Sequence, residues 1–128
     1  MTSGHDVRPQ PAIRVTMMPR DTNANGTIFG GILLAYLDQA GAIATRANCR
    51  RVVTVKMTEV VFHAPVFVGD VVSFYARVLK TGTTSITIHV DVEAERWRGE
   101  GRPVKVTEAE IVYVNVDESG RPCPISQG

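Results

Sequence analysis

The chain has 128 residues, 44% of them hydrophobic and 21% charged, with a formal net charge of +1. That length suits a single domain with its own core, and the balance excludes a disordered chain or one that holds nucleic acid by bulk charge. The two cysteines, Cys49 and Cys123, have neither CxxC spacing nor a histidine cluster beside them, so a disulfide framework and a zinc site are not expected and a reducing cytoplasm is the default.

Residues 1–10 are polar, include His5, Asp6 and Arg8, and lack the apolar run of an export signal. They read as a tail, as do residues 118–128, which leaves one folded unit over residues 11–117. Residues 12–18 form a candidate first strand. The stretch PRDTNANG, residues 19–26, is dense in Asp, Asn and Gly, which tolerate the backbone angles of loops. From Gly30 the apolar residues Leu33, Leu34, Leu37, Ala40, Ile43, Ala44 and Ala47 recur at three- and four-residue spacing, which predicts a helix over residues 30–47. Ile32, Ala35, Tyr36 and Ala42 make its other side apolar too, so it is expected to be enclosed by protein. Asp38, Gln39 and Arg46 make it a poor membrane span. Gly41 weakens the helix, which close approach of a neighbour would account for.

Beyond Arg50 and Arg51 the pattern turns to strands at residues 52–62, 71–79, 85–95 and 104–116, rich in Val, Ile, Thr, Tyr and Phe. The third of these alternates most clearly, with Ile86, Ile88, Val90, Val92 and Ala94 on one face. Val68-Gly69-Asp70 and Thr81-Gly82-Thr83 fit tight turns between strands. The fold class is therefore α+β: one long central helix, with a five-stranded antiparallel meander curled around it. Unpaired sheet edges call for a second copy of the chain, so a dimer is the least assembly expected.

Asp38 lies inside the most apolar segment, where a charge is costly to desolvate unless something offsets it. A solvent-facing strip shared with Gln39, or a paired structural carboxylate, would explain it; so would a functional site. Ahead of it, Gly30 and Gly31 lie where the helix begins. The first N–H groups of a helix have no internal partner, and glycine leaves them open to a ligand carbonyl, although a glycine-rich loop has ordinary structural uses as well.

The run PRDTNANGTIFGGILLAYLDQAGAIA resembles the acyl-CoA hydrolase branch of the hot-dog thioesterases, above all the short bacterial YciA-type enzymes. The strands VVTVKMTEVVFHAPVFVGDVV, YARVLKTGTTSITIHVDV and TEAEIVYVNVDESGRP extend the resemblance over residues 18–122. It implies a hot-dog fold whose sheets join across a dimer, and hydrolysis of acyl-CoA to free CoA and a carboxylic acid. By that resemblance Asp38 is the catalytic carboxylate, as general base or nucleophile. Asn23 works opposite the Asp38 of a partner subunit, with Asn25 its rival or a plain turn former. Gly30 and Gly31 make the oxyanion contact. Lys80, Thr83, Thr84 and Ser85 lie where the family places CoA. Arg51, in the basic stretch with Arg46, Arg50 and Lys56, is a candidate for a CoA phosphate.

No cofactor and no metal are expected, CoA being part of the substrate. The partners expected are acyl-CoA and further copies of the chain, as a trimer of dimers, with neither nucleic acid nor membrane. No GxSxG elbow or Ser-His-Asp spacing supports a serine hydrolase. His63, His89 and Trp97 read as structural or exposed. A non-catalytic acyl-CoA binding module and an acyl-carrier-protein thioesterase stand as alternatives.

Overall fold

The computed structural model describes residues 9–99 and 101–125. Most of the first expected tail, residues 1–8, and the last three residues of the second lie outside them. Five strands, β1 (Ile13–Thr16), β2 (Val52–Phe62), β3 (Val71–Thr81), β4 (Ser85–Glu95) and β5 (Val104–Asn115), accompany one helix, α1 (Gly30–Ala44). Thr45–Ala47 extends α1 by a tighter 3-10 turn.

The strands form one antiparallel sheet in the order β1-β3-β4-β5-β2. Only its central strands, β3-β4-β5, form a meander. β2 does not pair with β3 but lies at the far edge beside β5, and residues 63–70 carry the chain across to β3. The Val68-Gly69-Asp70 turn therefore belongs to this crossing segment and does not close a hairpin. The expected meander fails at that connection because hydrophobic periodicity fixes a strand's faces and leaves its neighbours open.

Alternation puts Ile86, Ile88, Val90, Val92 and Ala94 of β4, and Ala109, Ile111 and Tyr113 of β5, on one fully buried face. α1 lies across that face through Leu33, Leu37, Ala40 and Gly41, and Tyr36 packs on Phe74 of β3 with ring centroids 5.8 Å apart. The helix is not enclosed on all sides within one chain, because Gly31, Ala35, Gln39 and Ile43, four residues apart, form an exposed row. A neighbour is needed to complete the enclosure that its composition predicts.

The segment after β5, read as a tail, instead turns back on the sheet. Val116 bridges Pro122, Asn115 donates through its side-chain amide to the Cys123 and Pro124 carbonyls, and Ile125 is buried with its N–H on the Thr83 carbonyl. Edge strand β2 exposes Val53, Val55, Val61 and Phe62 and is irregular after Thr54 and after Thr58. Bulges of this kind twist an edge away from indiscriminate pairing. No helix among the described residues is long and apolar enough to cross a membrane.

Candidate active site

The loop ahead of α1 is shaped by its own side chains. Buried Asp21 accepts the Met18 N–H at 2.9 Å, and its carbonyl takes the N–H of Phe29 at 2.8 Å. Asn23 closes the next turn: its Oδ1 accepts the N–H groups of Asn25 and Thr27, and its Nδ2 donates to Thr27 Oγ1 at 3.0 Å. Asn23 thus has structural duties, and one amide hydrogen remains for a ligand. Asn25 is exposed and contributes a turn N–H, which fits the turn-former reading.

Gly30 and Gly31 open α1, and among the described residues their N–H groups have no hydrogen-bond acceptor. A crevice of about 340 Å³ lies against this end of the helix, lined by Gly30, Ile28, Leu33, Phe62 and the segment from His63 to Val66. It is mostly apolar, with amide donors of a helix terminus at one side. A Cβ on Gly30 would lie 3.3 Å from the Phe62 ring, and one on Gly31 would press on the ring of Phe29.

Asp38 is half-buried and points neither into the core nor into open water. Its Oδ1 accepts from the Thr54 hydroxyl at 2.8 Å and from the Tyr113 hydroxyl at 3.2 Å, and Tyr113 also donates to the Asp38 carbonyl at 2.6 Å. Thr54 and Tyr113 are direct cross-strand partners, so both side chains leave the sheet on the face that meets α1. Burial, and then the charge and hydrogen bond of Asp38, push the Tyr113 phenol well above its ordinary value. It therefore stays protonated as a donor. Gly41 explains itself here, since a Cβ at that position would collide with the Tyr113 hydroxyl. Among the described residues Asp38 forms no ion pair, so of the structural readings a salt-bridged carboxylate does not apply.

Gly31 and Asp38 are seven residues apart on one helix, which separates them by roughly 10 Å along its axis. An oxyanion donor and a base must both come within about 3 Å of the reacting atoms. One chain does not bring its own pair together.

The candidate CoA contacts fall at another end. Lys80 and Thr83 are exposed, Thr84 and Ser85 are half-buried, and the Ser85 carbonyl accepts the Gly82 N–H at 2.7 Å to close the turn. The Asn115 N–H on the Thr84 carbonyl, with Asn115 opposite Val52, brings this turn to the sheet end where Arg51 lies. Arg50 and Arg51 line a cavity of about 650 Å³ there, together with Asn48, Asn115, Ser119 and Cys123. The turn residues do not line that cavity. Arg46 and Lys56 are exposed and fit a solvated face.

On the opposite face of the sheet, His89 contacts Asp91 at 3.0 Å, His63 contacts Glu108 at 2.6 Å, and Lys105 reaches both Asp91 and Glu108 at 3.1 Å. Asp91 and Glu108 are cross-strand neighbours, so the Lys105 ammonium relieves a like-charge pair. Both histidines thus lie on the sheet face away from Asp38, each against a carboxylate. The Cys49 thiol is pushed up by burial and by Cys123, which disfavours it as a nucleophile.

Sequence reasoning missed Tyr113 and Thr54. A tyrosine on the inward positions of an apolar strand needs a partner for its hydroxyl, and that was the available signal for Tyr113. Thr54 carried no signal before the strand register was known.

Comparison with known proteins bears on the family and the fold. The thioesterase superfamily profile matches residues 25–99. The chain is 45% identical to the acyl-CoA thioester hydrolase YciA of Escherichia coli, over 95% of this chain and 96% of that protein. Among solved structures it matches Cj0915, a hexameric hotdog fold thioesterase of Campylobacter jejuni, with a TM-score of 0.88 at 45% identity, covering 92% of this chain and 91% of that one. It also matches HI0827, a hexameric broad specificity acyl-coenzyme A thioesterase, with a TM-score of 0.86 at 39% identity, covering 97% and 86%.

Proposed function

The chain belongs to the acyl-CoA thioester hydrolases of the thioesterase superfamily, and we propose that it hydrolyses acyl-CoA at a site completed by a second copy of itself. The observation that carries this reading is Asp38, a half-buried carboxylate held by hydroxyl donors on one oxygen in an otherwise apolar helix. Asp38 is taken to face the helix start and Asn23 of a second copy, because the start of its own α1 lies roughly 10 Å away along the helix axis.

In the reaction, the thioester carbonyl oxygen is received by the N–H groups at Gly30 and Gly31, which stabilise the charge that develops there. Asp38 removes a proton from water as the water oxygen attacks the carbonyl carbon, or attacks that carbon itself to give an anhydride that water opens. The C–S bond breaks, the proton goes to the CoA sulfur, and the carboxylic acid leaves. No electrons are transferred, so the chemistry asks for no redox cofactor, and water with these groups suffices. The acyl chain occupies the apolar crevice beside Gly30. The CoA nucleotide lies toward the turn of Lys80, Thr83, Thr84 and Ser85, with Arg51 for a phosphate.

Pairing through β2, whose apolar edge is exposed, gives the dimer, and a trimer of dimers fits the hexameric relatives. The free thiols of Cys49 and Cys123 suit a cytoplasmic location. The test is release of free CoA thiol from a panel of acyl-CoAs, with acylated carrier protein run in parallel. Wild type is expected to turn over acyl-CoA and Asp38→Ala to lose turnover while keeping its fold and its CoA binding. Binding without turnover across the panel, or full activity of Asp38→Ala, refutes the reading.

A further inference from the structure

We infer that Tyr113 is a positioning residue for the reaction: its phenol passes through the gap at Gly41 and fixes the Asp38 carboxylate by Oδ1, leaving Oδ2 as the oxygen that acts. The inference rests on the proposed role of Asp38.

Tyr113 is fully buried in the inward row of β5, next to Ile111 and Ala109 and in the same row as Thr107. Its hydroxyl gives its proton to the Asp38 carbonyl at 2.6 Å, with Oδ1 as a second, longer acceptor at 3.2 Å. A core tyrosine needs one acceptor, and the Asp38 carbonyl alone would satisfy it. The contact to Oδ1 does more, because it acts together with Thr54 on the same oxygen. An unrestrained aspartate samples several rotamers. Two donors arriving from neighbouring strands select one of them, and among the described residues Oδ2 has no hydrogen-bond donor. Gly41 is the complementary feature, since any Cβ there displaces the hydroxyl.

Phenylalanine at 113 keeps the ring in the core and removes only the hydroxyl, so the fold should hold. Tyr113→Phe is therefore a clean test, assayed as CoA thiol release with separate kcat and KM. The expected result is a fall in kcat of roughly 10- to 100-fold, the size of one or two charge-assisted hydrogen bonds, with KM changed less than about threefold. Gly41→Ala should lower kcat in the wild type, and by clearly less in the Tyr113→Phe background, where no hydroxyl remains to displace. Circular dichroism melts of each variant fix the folded fraction. A Tyr113→Phe kcat within about threefold of wild type, or a loss that only follows the folded fraction, overturns the inference while an inactive Asp38→Ala leaves the site standing. An active Asp38→Ala removes both.

Discussion

The segment crossing from β2 to β3 is held by a buried ion pair, and its energetics can be worked from the structure. Asp70 is 2% exposed and accepts from Arg96 and, at 2.9 Å, from the Phe67 N–H. Arg96, its side chain 30% exposed, also donates to the Pro65 carbonyl at 3.2 Å and lies 5.0 Å from the Phe67 ring centre. The same segment offers the Val66 carbonyl to the Ile28 N–H, just ahead of the crevice at Gly30. Removing one member of a fully buried pair costs about 3–5 kcal/mol. Water can reach Arg96 here, so Asp70→Ala is expected to cost about 2–3 kcal/mol, and Asp70→Asn, which still accepts from Phe67, about 1–2 kcal/mol. For a domain of this size the alanine change corresponds to a fall in Tm of roughly 8–12 °C. Thermal unfolding followed by circular dichroism at fixed protomer concentration measures it, since assembly adds to apparent stability. The reasoning is refuted if Asp70→Ala and Arg96→Met combine additively, with a coupling below about 0.5 kcal/mol.

Gly31→Ala is expected to fold, because the ring of Phe29 that a Cβ would press on is half-exposed and free to swing, yet to lower kcat through crowding of the helix-start N–H groups; unchanged turnover would count against the oxyanion assignment. Asp91 and Glu108 give stability a pH dependence. For Asp91, burial works to raise the pKa, but hydrogen bonds from His89 and Lys105 outweigh it, and Glu108 is lowered by its hydrogen bonds to His63 and Lys105. Groups lowered in the folded state stabilise it above the ordinary carboxylate range and lose that contribution as pH falls, so Tm should drop between about pH 5 and pH 3, less steeply in Glu108→Gln. An identical slope in that variant would remove Glu108 from the account. Val55→Lys, at a site 56% exposed on edge strand β2, should break the assembly, read as a lower mass by light scattering, and abolish turnover with it. A variant of intact mass would move the subunit contact away from β2.

How much of this was legible in the sequence depends on the range of the contacts involved. The strand and helix positions could be read because hydrophobic period is a local property: β4 alternates without exception, and residues 85–95 were delimited as found. The neighbour of β2 could not be read, because pairing with β5 rather than β3 depends on which edge the crossing segment reaches, and that segment is held by Asp70 and Arg96, 26 positions apart. The C-terminal return was hidden for a similar reason: its polar, proline-containing sequence is that of a tail, while Ile125 and the Asn115 side chain anchor it to distant strands. Within the site, Asp38 stood out as a local anomaly and Gly41 as a helix weakness needing a cause. Their common explanation, Tyr113, lies 75 positions from Asp38, where no spacing argument reaches.

The polar group at residues 38, 54 and 113 is not something the fold requires. Beside Tyr113 the inward row of β5 is apolar at Ala109 and Ile111, with a buried threonine at 107, and well-packed apolar residues are often at least as stable as buried polar groups. A helix with leucine at 38, over a phenylalanine at 113, would keep this part of the core wholly apolar. Instead the chain keeps an acid in an apolar helix, a glycine in the helix interior and a phenol threaded between them, three departures from local preference that meet at one oxygen. Departures that coincide in space mark where function sets the sequence and packing does not. The exposed row of Gly31, Ala35, Gln39 and Ile43 lies on the outer side of α1, uncovered within one chain, and is the surface that the proposed second copy would cover.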